Sequence, residues 1–192
     1  MTTQTEPLNV RVRRLRISRK LTLRAAEAAT GVSRSMLSKI ERGGASPTAT
    51  ILGKLAEGLD VSISQLVGGP ANQPRHGAIL LKRREQAVFR DPASGFERRS
   101  LSPVSRGRTV DFVVNRLPPR HTSGVFPPHR PGIEETLCVS AGRLLLFLGG
   151  RRMELKTGDS VFYRADVGHR FENPSTTEAA VFFIVIDNSK AA

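Results

Sequence analysis

Near residue 67 the chain changes its hydrophobic period, and this break limits the fold more than any other feature of the sequence. Before it, apolar residues recur at three- and four-residue spacing, which matches the turn of an α-helix. After it they come in short β-branched or aromatic runs separated by Gly, Pro and Asn, the pattern of strands and turns. Between the two lies Val67-Gly68-Gly69-Pro70-Ala71-Asn72-Gln73-Pro74, which has no apolar period and concentrates residues that interrupt regular structure. A multidomain chain, α then β, is therefore expected: a five-helix bundle over 9–67, a linker over 68–77 and a β-barrel over 78–188, with disordered tails at 1–8 and 189–192. A length of 192 residues holds two such units and excludes a large multidomain enzyme.

The chain carries 30 Lys and Arg against 17 Asp and Glu, a net charge of +13, which favours a polyanionic partner and nucleic acid first. The excess is shared, however. Residues 1–66 hold 11 basic and 5 acidic groups and residues 67–192 hold 19 and 12, so charge alone does not say which half meets the polyanion. A single cysteine, Cys138, excludes an intramolecular disulfide framework and suits a reducing compartment. The longest apolar runs, Leu144 to Leu148 and Val181 to Ile186, fall far short of the roughly 20 residues that span a bilayer. Met1 to Pro7 shows no basic stretch leading into an apolar one. A cytoplasmic protein with no membrane partner is expected.

In the helical half, Val12 and Leu15 give a first helix its apolar side, and Arg11, Arg13, Arg14, Arg16 and Arg19 crowd the rest of its surface. Thr22 is placed to cap a second helix that ends at Thr30-Gly31, where glycine supplies a left-handed turn. Ser33 caps a third, in which Leu37 and Ile40 face inward and Arg34, Ser35, Ser38 and Lys39 face outward. Ser46-Pro47 suits the start of a fourth helix with inner residues Ile51, Leu52, Leu55 and Leu59. A short fifth helix near Ser62 to Val67 completes the bundle.

Two short helices joined through a glycine turn form a helix-turn-helix, whose second helix enters the DNA major groove. Arg34, Ser35, Ser38 and Lys39 are a suitable base-reading surface, since Arg bonds guanine O6 and N7 together and Ser donates or accepts. Arg24, Ser33, Arg42, Ser46 and Thr48 are the candidate phosphate contacts, most of them at helix ends where unpaired N–H groups attract anions. The segments Thr22-Leu23-Arg24, Thr30-Gly31-Val32-Ser33 and Leu37-Ser38-Lys39-Ile40-Glu41-Arg42-Gly43, followed by Ser46-Pro47, resemble the lambda-repressor-like, or XRE-type, regulators. One departure stands out. Glu27 occupies the place where that family has a small Ala between the two helices, which implies either a rotated second helix or a Glu27 side chain reaching solvent past Ala26 and Ala28.

In the β half, strands are expected at Ala78 to Leu81, Thr109 to Val114, Thr136 to Val139, Leu144 to Leu148, Ser160 to Tyr163, His169 to Glu172 and Ala180 to Ile186. The Leu144 to Leu148 run implies burial on both faces, one lining the barrel and the other open to a second subunit. Cys138 is expected to be a buried small apolar residue. The stretch His129-Arg130-Pro131-Gly132-Ile133-Glu134-Glu135, followed by Gly142, Gly158, His169 and Asn173, resembles the two motifs of the cupins. That resemblance implies a double-stranded β-helix barrel with His129, Glu135 and His169 on three metal-ligand places. Pro131 stands where a second histidine is usual, and Arg164 and Asp166 stand where Pro and Gly are usual. Period-two spacing would aim residues 129, 131 and 135 at one interior.

Two imidazoles and a carboxylate suit a divalent transition metal, Zn, Fe, Ni or Mn. Without a third imidazole, His129 and His169 are equally well read as pocket histidines. Arg130 and Arg164 are candidate effector contacts, because a guanidinium holds a carboxylate or phosphate bidentately. A DNA-reading head joined to a cupin implies a sequence-specific transcriptional regulator, not an enzyme, that binds an inverted-repeat operator as a homodimer and senses a small-molecule effector. The alternatives are a metal-dependent cupin dioxygenase or isomerase carrying a DNA-binding head, and a constitutive repressor whose barrel is a dimer scaffold only.

Overall fold

The computed structural model describes residues 6–68, 78–104 and 109–190. Tail residues 1–5 and 191–192 and linker residues 69–77 lie outside the described residues.

Five helices come first: α1 (Leu8–Ser18), α2 (Leu23–Thr30), α3 (Arg34–Glu41), α4 (Ala49–Gly58) and α5 (Ile63–Val67). Each of α2 to α5 starts on a hydroxyl cap. Thr22, Ser33, Thr48 and Ser62 accept from the N–H of Ala25, Met36, Ile51 and Gln65, each satisfying a first-turn donor. Gly31 ends α2 at φ 64°, in the left-handed region that favours glycine. The fourth helix begins at Thr48 rather than at Ser46-Pro47, and Pro47 is buried ahead of it.

Several of the arginines of α1 are structural. Arg11 is buried and donates to the carbonyls of Leu66 and Glu6, while Arg16 holds Glu41 of α3 through Nε and Nη2 at 2.6 and 2.8 Å. Glu6 accepts from Arg11 and Arg14, so the folded head reaches back to residue 6.

Among the described residues the β half has nine strands: β1 (Val88–Arg90), β2 (Glu97–Ser100), β3 (Val110–Leu117), β4 (Glu134–Ala141), β5 (Arg143–Leu148), β6 (Arg151–Lys156), β7 (Ser160–Arg164), β8 (His169–Glu172) and β9 (Ala180–Asp187). A six-stranded antiparallel sheet in the order β1-β2-β3-β9-β4-β7 faces a three-stranded one, β6-β5-β8. Ala78 to Leu81 forms no strand. β1, β2 and β6 were not expected, because sequences such as Glu97-Arg98-Arg99-Ser100 and Arg151-Arg152-Met153-Glu154-Leu155-Lys156 are too charged to read as strands. All three lie at or next to a sheet edge, where water or a neighbouring side chain can satisfy charge.

The outer face of β5 is covered within the chain, with the Arg170 guanidinium 3.7 Å above the ring of Phe147. The exposed apolar face lies instead on the six-stranded sheet. There Phe112 stacks on Phe183 at 5.7 Å beside exposed Val110, Val185 and Phe162. Cys138 pairs in register with Phe183 on this face and is exposed, not buried.

The head is docked on the barrel. Leu52 and Leu55 of α4 belong to one hydrophobic cluster with Phe126 and Phe171, so the two cores are continuous. Asp91 of the barrel accepts the N–H of Ala49 at 2.7 Å, and a side chain on Gly53 would stand 3.0 Å from Pro127.

Candidate nucleic-acid interface and barrel cavity

On the head, Arg34, Ser35 and Lys39 are exposed along one side of α3 and Ser38 is half-buried beside them. Arg24, Ser33, Arg42 and Ser46 are exposed around the same helix. Arg42 donates to the hydroxyl of Ser38 at 2.5 Å, one turn away, so a candidate phosphate contact and a candidate base contact are tied together. Thr48, the remaining phosphate candidate, is half-buried. Its hydroxyl caps α4 and the next amide is taken by Asp91, which engages that helix end from the barrel side.

The Glu27 side chain stays 38% exposed, so it reaches solvent as one of the two sequence readings has it. Its carboxylate crosses to α3, accepting from the Arg34 backbone N–H at 3.3 Å and from Arg34 Nε at 2.9 Å. It sits at the N-terminal, positive end of the reading helix, where a carboxylate is electrostatically welcome. Val32 and Leu37 remain buried between the helices, so the helix-turn-helix packs in spite of the acid.

In the barrel, His129, Glu135 and His169 come together, each offering one ligand atom within 4.8 Å of the others. Glu135 is carried by β4 and His169 by β8, both pointing inward, while His129 sits on the loop before β4. A turn at Pro131-Gly132 breaks the period-two alternation, so Pro131 is exposed and does not share the interior with residues 129 and 135.

His129 links the two domains. Its Nδ1 lies 2.5 Å from Glu57 of α4, its Nε2 lies 3.2 Å from Glu135, and Glu135 in turn accepts the hydroxyl proton of Tyr163. Burial works against a charge on His129, but the two carboxylates outweigh it and hold the imidazolium up to about 9. Burial would raise Glu135, yet the hydrogen bond from His129, the fields of His169 and His129 and the Tyr163 hydroxyl bring it to about 2. Burial pushes His169 down, toward the neutral ring.

The donor set fits a divalent metal. His129 Nδ1 is tied to Glu57 and His169 Nδ1 to the Val167 carbonyl at 3.3 Å, leaving the other nitrogen of each ring for the cluster. That outer hydrogen bonding is what orients metal-binding imidazoles.

This cluster lines a cavity of about 250 Å³ between barrel and head. Ala56, Glu57, Asp60, Val61, Ser62, Ile63 and Gln65 of the head form one wall; Phe96, Phe126, Phe171, Ile184 and Ile186 supply apolar surface. Arg130 stands at the rim, paired to Asp60 at 2.6 Å. Arg164 is exposed on β7 and is not part of the lining. The arginine inside the cavity is Arg98 of β2, accompanied by Asp111 and Asn115 of β3. Sequence reasoning missed these three because charged and amide residues read as solvent-facing; the signal was an alternation in β3 that places Asp111, Val113, Asn115 and Leu117 on one face.

Residues 12–66 match the helix-turn-helix family and residues 114–186 the cupin domain family. The HTH-type transcriptional regulator SutR of Escherichia coli (strain K12) is 31% identical over 173 residues, covering 86% of each chain. The HTH-type transcriptional regulator PuuR of the same organism is 24% identical over 165 residues, again covering 86% of each. A crystal structure of an HTH_3 family transcriptional regulator from Vibrio cholerae superposes with a TM-score of 0.75 at 26% identity over 94% of both chains. With its helix-turn-helix head, its cupin barrel and a relative of this similarity along most of its length, the chain belongs to the XRE-type, helix-turn-helix transcriptional regulators that carry a C-terminal cupin domain.

Proposed function

We propose that the protein regulates transcription by binding an inverted-repeat operator as a homodimer and that a small molecule held in the cavity between barrel and head alters this binding. The observation that carries the reading is that the cavity wall is built partly from α4 and α5 of the DNA-binding head. A ligand there touches the head directly, so it can bind the DNA-competent and incompetent arrangements with different affinity, which is what regulation requires. Movement of α4 would not stay local. Gly58 packs so tightly on α2 that a Cβ there would lie 2.5 Å from the Ala29 carbonyl, and α2 packs on α3.

Arg34, Ser35, Ser38 and Lys39 read bases; Arg24, Ser33, Arg42 and Ser46 hold phosphates. The exposed apolar face around Phe112, Phe162, Phe183 and Val185 supports association of two barrels, which would set two heads on a two-fold axis.

We read the barrel as regulatory rather than catalytic, since α4 and α5 of the DNA-binding head form one wall of its cavity. Where a divalent metal is bound, His129, Glu135 and His169 hold it, and it supplies Lewis acidity to a ligand in the cavity. Metal analysis of the purified protein, with footprinting of genomic fragments with and without added metabolites, tests the reading. Stoichiometric metal with turnover of a cavity ligand, and no protected inverted repeat, would overturn it.

A further inference from the structure

The cavity holds more polar chemistry than the chain itself satisfies. Arg98 Nε, Asp111 Oδ2 and both polar atoms of Asn115 are buried with no hydrogen-bond partner among the described residues. All three residues are more than nine-tenths buried and line the cavity. A buried donor or acceptor left unmet costs about 1–3 kcal/mol, so such groups normally face a ligand or water.

The other charged groups that line the cavity have partners within the chain. Glu57 and Glu135 share His129, and Asp60 is paired with Arg130. Unmet polar atoms remain on one cation, Arg98, one anion, Asp111, and one amide that both donates and accepts, Asn115. Arg98 lies opposite Asn115 in the β2–β3 register, and Asp111 is one four-residue step along the same face of β3. Burial lowers the affinity of Arg98 for its proton, and the field of Asp111 leads the groups that restore it.

We infer that the effector is a small zwitterion, an α-amino acid, whose carboxylate is held by Arg98 and Asn115, whose ammonium is held by Asp111, and whose side chain lies against the Phe96, Phe126 and Ile184 wall. A monoanion would leave Asp111 unmet and repelled, and a simple amine would do the same to Arg98. The 250 Å³ volume is below the roughly 300–1,000 Å³ of pockets for drug-sized ligands, which suits a metabolite of amino-acid size.

This inference rests on the sensing role proposed above, and the test separates the two. The twenty standard L-amino acids are titrated singly into the full-length protein, with binding read by calorimetry and operator affinity by fluorescence anisotropy. For the tightest binder, the analogue lacking the amino group and the amine lacking the carboxylate are then compared. Each analogue is expected to bind roughly ten- to a hundredfold more weakly. Arg98→Met and Asp111→Asn are expected to weaken binding similarly, with Tm reporting that the variants fold. Binding of none of the twenty, or an analogue equal to its parent, overturns the zwitterion. An amino acid that binds without changing operator affinity upholds the ligand class and overturns the sensing role.

Discussion

Arg34, proposed above to read bases, has an acidic partner already in place. Its guanidinium is exposed but engaged by Glu27, so base recognition must displace or share that carboxylate. Glu27→Gln is therefore expected to tighten operator binding a few-fold in gel-shift titrations, by freeing the guanidinium and removing a negative charge facing phosphate. Arg34→Ala should cost about 1–3 kcal/mol on the best operator and little on scrambled DNA, because a bidentate base contact is lost. Arg42→Ala should weaken both alike. A uniform loss for Arg34→Ala would remove it from base reading.

At the same scale, His129 makes docking pH-dependent. Its folded value of about 9 lies above the ordinary 6.5, so it stabilises fully below about pH 6.5 and the contribution drains as pH rises through 9. Glu135, held near 2 against an ordinary 4.5, contributes fully above about 4.5 and loses its effect as pH falls toward 2. Thermal melts of metal-free protein should therefore show Tm falling between pH 7 and 10, and His129→Ala should flatten that slope. Metal would have to displace the same proton, so its affinity should climb across this range.

Among elements, α4 carries the coupling between the domains. Asp91→Ala removes the acceptor for Ala49 N–H and for the Ala93 N–H, which should cost about 1–3 kcal/mol. The loss should appear as faster hydrogen exchange in the first turn of α4, with the barrel core unchanged. α2, α3 and α5 were legible in the sequence because caps, turn glycine and apolar spacing agree. The start of α4 was not, since Ser46-Pro47 offers the same local signal as Thr48 and only the packing of Pro47 decides between them. β1, β2 and β6 escaped notice because their stabilisation comes from pairing with neighbours rather than from their own residues. His129, Glu135 and His169 were legible as a spacing, whereas Arg98, Asp111 and Asn115 were not, since their burial depends on a barrel that the local sequence does not announce.

For the whole molecule, the exposed sheet face predicts the assembly. Phe112→Glu with Phe162→Glu should leave the fold intact and shift sedimentation from dimer to monomer, with operator affinity falling because each head then binds alone. Two heads on one axis should protect half-sites about 34 Å apart or a multiple of it. Binding should weaken steeply with salt as phosphate-bound counterions are released. The +13 charge is thus only a general pull toward DNA; several of its arginines, Arg11 and Arg16 among them, are spent inside the head.

The docking of α4 on the barrel has a practical consequence for exchanging parts between regulators. Residues 69–77 look like a place to cut, yet the seam that matters runs through Gly53, Glu57 and Asp60 on one side and Asp91, Pro127, His129 and Arg130 on the other. A foreign head spliced in at residue 68 should still recognise its own operator but turn deaf to the effector proposed for this barrel. Hearing should return only when those three head positions are transplanted with it.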